Sequence, residues 1–203
     1  MRSLYTANYI GNLLNEEQTI EYLIKKIQAG DDSALEKLSR IWYPNVYRYA
    51  LRFTGKVEMA KEVAQLTFVS ITKNIKGLRD PSSFTPWVFR IAANQCRNLL
   101  RKQKFHEPLE VIYSQKANDR RPDEILERSE AIDKVKKALL TIPEEQREVI
   151  IMKEYEGLKF REIAQILNTS ENTVKSRMYY GLTALKKSLM LSRAQIDIHY
   201  EQY

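Results

Sequence analysis

A stretch near the C-terminus carries side chains that suit contact with nucleic acid. Residues 170–187 read SENTVKSRMYYGLTALKK, and in a helix their apolar side chains recur at steps of three and four, on the stripe Val174, Met178, Leu182, Leu185 and Leu189. The opposite arc bears hydrogen-bonding groups with basic edges: Asn172, Thr173, Lys175, Ser176, Arg177, Tyr179, Tyr180, Thr183 and Lys187. Such a face can bond base edges and phosphates, although an ordinary solvated helix has the same pattern.

A short helix and a turn precede this stretch. Phe160, Ile163, Ala164 and Leu167 repeat with helical spacing, NTS forms a turn, and Ser170 can cap the following helix. A short helix, a three-residue turn and a second amphipathic helix make a helix-turn-helix, whose second helix enters the major groove. The alternative is a helical hairpin inside a bundle, which does not explain why the outer face lacks acidic residues after Glu171.

The charge of the chain also favours a polyanionic partner. Of a net charge of +7 over 203 residues, residues 22–105 hold 16 Lys and Arg against 6 Asp and Glu, a local net of +10. A basic segment suits nucleic acid or a membrane surface. Because this charge is spread over several helices that also need one another's cores, we expect nucleic acid.

Composition argues against several other classes of protein. No apolar run approaches the roughly 20 residues of a membrane span, and residues 1–15 lack a signal-peptide pattern. Cys96 has no partner cysteine, which favours a reducing cytoplasm and a buried structural role. His106 and His199 have no neighbours at metal-ligand spacing. We therefore expect no catalytic residues, no metal and no cofactor.

Helical periodicity extends over most of the chain and predicts an all-α protein. Glycines 30, 55 and 77 end helices, and Pro44 is expected to interrupt one. In the second half, Ile125, Ile132, Val135, Leu139 and Leu140 predict one helix, and Thr141 with Glu144 has capping-box spacing. We predict two small helical domains joined by a flexible linker. The segments are an extension (1–21), a first domain (22–105), a linker (106–124), a second domain (125–190) and a tail (191–203).

Both predicted domains resemble one known family. REIAQILNTSENTVKSRMYYGLTALKKSL resembles the fourth region of extracytoplasmic-function (ECF) sigma factors of the sigma-70 class. AGDDSALEKLSRIWYPNVYRYALRFTG, VEMAKEVAQLTF and SFTPWVFRIAANQCRNLLRKQK resemble successive parts of their second region. The resemblance covers about residues 22–190 in the order of the family.

The resemblance implies a transcription initiation factor that binds bacterial RNA polymerase core and directs it to promoters. The polymerase-binding residues would be Glu58, Glu62, Gln65 and Phe68. Recognition and melting of the −10 element would use Arg79, Ser82, Ser83, Trp87, Asn94, Arg97, Asn98, Arg101 and Lys102, with Trp87 either a core aromatic or a stacking platform. The −35 element would be read by Asn172, Thr173, Lys175, Ser176, Arg177, Tyr179 and Tyr180. An anti-sigma factor is a further partner of many family members, and we expect a monomer when the protein is free.

Several positions differ from the usual family pattern. Met59, Lys61 and Leu66 stand where acidic residues are common, which reduces attraction to a basic polymerase surface. Tyr180 and Leu182 replace arginines, and Lys159 replaces a small capping residue. Two alternative functions remain at this point: a helix-turn-helix regulator that acts without polymerase core, and a sigma-like interaction module.

Overall fold

The computed structural model describes residues 19–106 and 123–200, with side chains described for 19–103 and 132–191. Within these residues the chain forms helices and turns without a strand. The first domain contains α1 (19–28), α2 (Asp32–Thr54), α3 (Val57–Asn74) and α4 (Phe84–His106), and the second contains α5 (Asp123–Thr141), α6 (Glu144–Ile150), α7 (Phe160–Leu167) and α8 (Glu171–Tyr200). The predicted all-α class with two helical domains is confirmed for this part of the chain.

An aromatic cluster fills the core of the first domain. The ring of Trp42 on α2 meets Phe84 and Phe89 of α4 edge-on, with centroids 5.1 and 5.9 Å apart. Such edge-to-face pairs add to the free energy gained from burying the rings. α3 closes the other side with buried Ala60, Val63, Ala64 and Ile71. Cys96 is buried in this domain, and burial raises the pKa of its thiol, so the predicted structural role is confirmed.

The prediction that Pro44 interrupts a helix is wrong. α2 runs unbroken from Asp32 to Thr54 with Pro44 inside it. Proline removes one backbone hydrogen bond and crowds the carbonyl four residues earlier. Here Pro44 lies on the exposed side, while buried Trp42 and Val46 hold the helix in place on both sides of it. Tertiary packing therefore overrides the local cost of proline.

The second domain packs α5, α6 and α7 against α8. Gly181 of α8 is buried, and a Cβ placed there would lie 2.9 Å from Ile150 Cδ1 and 3.1 Å from Gln146 Cβ, so glycine allows α8 to approach α6 closely. After α6 the backbone widens into a π-helical turn, Ile151–Tyr155. α8 continues to Tyr200, so part of the predicted tail is helical.

Some predicted details of the second domain are wrong. Thr141 is the last residue of α5 and donates its hydroxyl to the Ala138 carbonyl at 2.8 Å, while Pro143 occupies the N-cap of α6, so there is no capping box. Ile132, Leu140 and Leu182 are exposed although they lie on the apolar stripes of α5 and α8. Side chains at the edge of an apolar stripe keep part of their surface in solvent, and Leu140 does so although it touches Gly55.

The two domains share one continuous core. α2 contacts α5 and α6, and α4 contacts α7. At one contact point, Leu140 lies against Gly55, where a Cβ would be only 2.6 Å from Leu140 Cδ1. The central part of the predicted linker, residues 107–122, lies outside the described residues. No helix in the described part of the chain has the length and apolar character needed to cross a membrane.

Candidate nucleic-acid interface

The exposed face of α3 combines polar and apolar side chains. Glu58, Glu62 and Gln65 are exposed and Phe68 is half-buried, so all four predicted polymerase-binding residues reach the surface. Glu58 accepts a hydrogen bond from Lys61 Nζ at 2.9 Å. Its charge is therefore already partly neutralised within the helix, which leaves less of it for an external basic partner.

A shallow groove beside these residues is largely apolar. Phe68 packs against Tyr43 of α2, with ring centroids 5.8 Å apart, and Val69 is exposed next to them. The groove is lined by Tyr43, Gln65, Phe68, Val69, Thr72 and Lys73. Tyr43 and Val69 were not predicted from the sequence, in which the available signal was an aromatic residue directly before Pro44. The groove can take an apolar side chain from a partner.

The loop between α3 and α4 is organised by Asp80. Its carboxylate accepts from the Ser82 backbone N–H at 3.0 Å and from the Ser82 hydroxyl at 2.7 Å. The Ser83 hydroxyl donates to the Asp80 carbonyl at 2.7 Å. Both serine hydroxyls therefore have their protons engaged and present lone pairs, which accept hydrogen bonds from an external N–H group. Asp80 was not predicted from the sequence, although its position directly before Pro81 and the two serines is typical of a capping residue.

Polar and basic side chains continue along one face of α4. Asn94, Asn98, Arg101 and Lys102 are exposed, Arg79 is exposed in the preceding loop, and Arg97 is half-buried. Their spacing of three and four residues places the asparagines and arginines of α4 on the same side. Trp87 is half-buried at the start of this face, with its ring 6.0 Å from Phe84. It packs on the core and still has surface available for stacking.

Arg97 makes an ion pair with the second domain. Its Nη1 donates to both carboxylate oxygens of Glu148 at 2.9 Å, and its Nη2 donates to Asn94 Oδ1 at 2.6 Å. Glu148 is 3% exposed and also accepts from the buried Tyr49 hydroxyl at 3.4 Å. Burial raises the pKa of Glu148, and Arg97 opposes that shift. Glu148 was not predicted from the sequence. Its position with Arg147 directly before the apolar run Val149–Met152 was a signal of a buried charge.

A second carboxylate lies nearby between the domains. Glu156, which follows the π-helical turn, has an oxygen 3.5 Å from Arg52 Nη1, and the Arg52 guanidinium lies 4.3 Å from the centroid of the Tyr155 ring. Burial raises the pKa of Glu156 to about 7, while Arg52 and Arg48 pull it down. Arg147 is buried next to Glu148, with its guanidinium 5.2 Å from the Phe53 ring centroid. These contacts join α2 to the second domain.

α7 and α8 form the predicted helix-turn-helix. Asn168 ends α7 in the left-handed region (φ 50°), and the Thr169 N–H donates to the Ala164 carbonyl at 3.0 Å. Ser170 Oγ accepts from the Thr173 N–H at 3.0 Å, so the predicted cap is confirmed. Lys159 supplies no capping side chain, but its N–H donates to Glu162 at 2.6 Å. The turn is thus fixed by local hydrogen bonds.

The outer face of α8 presents a polar surface followed by two aromatic rings. Asn172, Lys175 and Ser176 are exposed and Thr173 is half-buried. Lys175 pairs with Glu171 at 2.8 Å. Tyr179 and Tyr180 are 69% and 61% exposed, with ring centroids 5.6 Å apart. Arg177 is half-buried, and its positive charge acts to lower the pKa of Glu148.

The structure therefore brings the predicted residues together as three separate surfaces. The first is the α3 groove, the second is the α4 face with the Asp80 loop, and the third is the outer face of α8. The described side chains include no group of three or more His, Cys, Asp or Glu residues placed to hold a metal ion. The side chains of these surfaces can bond bases, phosphates and a protein partner.

Comparisons with known proteins match both domains. The family model described as "Sigma-70 region 2" matches residues 38–106, and the model described as "Sigma-70, region 4" matches residues 132–185. A helix-turn-helix regulator would account for the second match and leave the first unexplained.

Relatives along most of the chain carry the same description. The chain is 31% identical over 183 residues to the ECF RNA polymerase sigma factor SigW of Bacillus subtilis, covering 85% of this chain and 98% of the relative. It is 27% identical to an ECF RNA polymerase sigma-E factor of Haemophilus influenzae, covering 81% and 92%.

Solved structures show the same fold. CnrH, in complex with the cytosolic domain of CnrY, matches with a TM-score of 0.64 and 24% identity, over 85% of this chain and 98% of that chain. The sigma factor RpoE of Bartonella quintana, in complex with the anti-sigma factor NepR, matches with a TM-score of 0.62 and 21% identity, over 76% and 96%.

Proposed function

The chain belongs to the ECF sigma factors of the sigma-70 family, and from that premise we propose how its three surfaces divide the work of promoter recognition. As a sigma factor it is a transcription initiation factor that binds RNA polymerase core and directs it to promoters. The observation that carries this function is the match of both regions, in order, along 98% of a relative's length.

The α3 groove is the proposed contact with polymerase core. Gln65 and Phe68 lie on it, and Glu58 and Glu62 lie on the same helix. Its aromatic and aliphatic lining supports a contact that depends on apolar burial more than on charge, because Lys61 already pairs with Glu58. Buried aromatic residues are frequent energetic centres of protein interfaces. Replacement of acidic residues by Met59, Lys61 and Leu66 is consistent with such a contact.

The α4 face and the Asp80 loop are the proposed −10 surface. The basic side chains Arg79, Arg97, Arg101 and Lys102 would hold phosphates, and Asn94 and Asn98 would bond bases. Ser82 and Ser83 would accept hydrogen bonds from an unstacked base, because Asp80 orients their hydroxyls. Trp87 has surface available for stacking beside that base. Opening a base pair costs a few kcal/mol, which such contacts offset in part.

The outer face of α8 is the proposed −35 surface. Asn172, Thr173 and Ser176 would bond base edges, while Lys175 and Arg177 would contact phosphates. Tyr179 and Tyr180 stand further along the same face, and their rings suit contact with the methyl groups of thymines or with the sugar-phosphate backbone. The proposed domain boundaries are those of the sequence analysis: 22–105 for the first domain and 125–190 for the second.

The remaining assignments rest on family membership. We propose that the protein acts in the bacterial cytoplasm, has no enzymatic activity of its own, and is a monomer before it meets polymerase. Each of the two solved structures contains a second protein, the cytosolic domain of CnrY in one and the anti-sigma factor NepR in the other. We propose an anti-sigma factor as a partner of this chain as well.

Gel filtration with bacterial RNA polymerase core tests the proposed function. The wild-type protein should co-elute with core, and the complex should open promoter DNA, whereas the protein alone should not. Phe68→Ala should weaken core binding at least about fivefold, since truncation of a central aromatic residue costs more than about 1 kcal/mol. Lys37→Ala, on an exposed part of α2, is the matched control. DNA opening without core would favour an independent regulator, and a folded protein that ignores core would refute the proposal.

A further inference from the structure

One arginine of the proposed −10 surface is bound by the second domain. Arg97 Nη1 contacts both oxygens of Glu148 at 2.9 Å, across 51 residues of sequence. A guanidinium binds a carboxylate and a phosphate with the same donors. Glu148 therefore occupies Arg97 Nη1, one of the donor atoms that a guanidinium would offer to a DNA phosphate.

Burial and a second hydrogen bond hold Glu148 in this position. It is 3% exposed, it accepts a hydrogen bond from the Tyr49 hydroxyl, and Tyr49 itself is fully buried on α2 of the first domain. Removing the partner of a buried charge is strongly unfavourable, because the charge that remains is neither paired nor hydrated. Arg97 can therefore turn Nη1 from Glu148 to a phosphate only if Glu148 reaches water, which requires the two domains to separate at this point.

Other contacts hold the same interface closed. Leu140 packs on Gly55, Arg147 lies over the Phe53 ring, and Arg52 bridges to Glu156 and Tyr155. The contacts involve α2 and α4 on one side and α5, α6 and the π-helical turn on the other. Closure is thus a property of an extended interface in which the Arg97–Glu148 pair is the polar centre.

We propose that Glu148 is an internal competitor of promoter DNA, which holds Arg97 in a closed conformation of the free protein and releases it when the domains separate. The inference rests on the proposed role of Arg97 in the −10 surface. Only the open fraction of the protein presents Arg97 to DNA, so the apparent affinity is reduced by that fraction. A closed state populated at about 90% lowers the affinity for DNA about tenfold.

The test uses the full-length protein without polymerase. Dyes on Lys37→Cys and Lys186→Cys, both exposed, report the distance between domains by energy transfer. The buried thiol of Cys96 should not take up the dyes, since burial keeps it in the unreactive protonated form. Affinity for DNA is measured with a fluorescein-labelled single strand of about 15 nucleotides.

Four variants separate closure from DNA contact. Glu148→Gln should lower energy transfer and tighten binding of the single strand about tenfold. Arg97→Ala should also lower energy transfer, but without a gain in affinity, because the competed donor is gone. Asp133→Asn removes one carboxylate from an exposed ion pair with Lys136 in the same domain, and should change neither quantity. Tyr49→Phe, a milder change, should shift both quantities in the direction of Glu148→Gln and guards against misfolding of that variant.

The outcomes separate a failure of this proposal from a failure of the proposed function in promoter recognition. Folded Glu148→Gln and Tyr49→Phe proteins with wild-type energy transfer and affinity would overturn the internal competitor, even if the polymerase complex opens promoters normally. If Glu148→Gln lowers energy transfer but does not bind the single strand more tightly, the proposed competition is overturned and Arg97 does not contact DNA. An equal gain in affinity for Asp133→Asn would reduce the effect to net charge and would also overturn it.

Discussion

The buried carboxyl group of Glu156 should make the stability of this protein depend on pH near neutrality. Its side chain is 9% exposed, with Arg52 Nη1 3.5 Å away. Burial raises its pKa from 4.5 to about 7 despite the opposing charges of Arg52 and Arg48. The folded protein therefore binds this proton more tightly than the unfolded chain. The stabilisation is fully present below about pH 4.5, and it is lost as pH rises through about 7.

The size of the effect follows from the difference between the two pKa values. At low pH it amounts to about 3 kcal/mol, and between about pH 6 and about pH 8.5 roughly 1.5 kcal/mol of that is lost. Glu156→Gln keeps the shape of the side chain and removes the titration. The wild type should therefore lose roughly 1.5 kcal/mol more than this variant over the same interval.

Urea unfolding followed by circular dichroism measures these differences. The series compares wild type, Glu156→Gln and Glu154→Gln at about pH 6 and about pH 8.5, since both substitutions remove one carboxylate. Glu154 is exposed on the same π-helical turn and serves as the control, which should behave as the wild type does. Equal pH dependence in wild type and Glu156→Gln would refute the reasoning, and so would a Glu156→Gln protein much less stable than wild type at high pH.

Three further substitutions test the proposed surfaces. Asp80→Ala removes the acceptor that orients Ser82 and should slow promoter opening several-fold, measured by permanganate reactivity of the −10 region, while duplex −35 DNA binds as before; unchanged opening would contradict the role of the loop. Ser170→Ala should cost about 1 kcal/mol of stability, seen as a lower Tm, because the Thr173 N–H loses its cap; an unchanged Tm would show that the cap contributes nothing. Arg101→Ala should reduce the salt dependence of promoter binding by about one phosphate contact, measured as the slope of log K against log salt, with Lys37→Ala as control; an unchanged slope would remove Arg101 from the −10 surface.

Most helices and the Ser170 cap of α8 could be predicted because their causes are local. The apolar stripe of α8 begins with Val174 and Met178, both buried, and Ser170 caps the helix through a contact three residues away. Hydrogen bonds and side-chain contacts between residues three and four apart can be recognised in the sequence from the spacing of residue types. The same reasoning placed the helix-turn-helix and the polar face of α4 correctly on the surface.

The sequence by itself determined the all-α class, the two domains and the residue types that point to a nucleic acid. Only the tertiary structure decided what depends on distant residues: Pro44 inside an unbroken helix, the groove between Tyr43 and Phe68, and the pairing of Arg97 with Glu148. Periodicity describes one helix at a time. It cannot assign a partner 51 residues away, nor the burial that raises the pKa of Glu156, because both arise where α2 and α4 pack against the second domain.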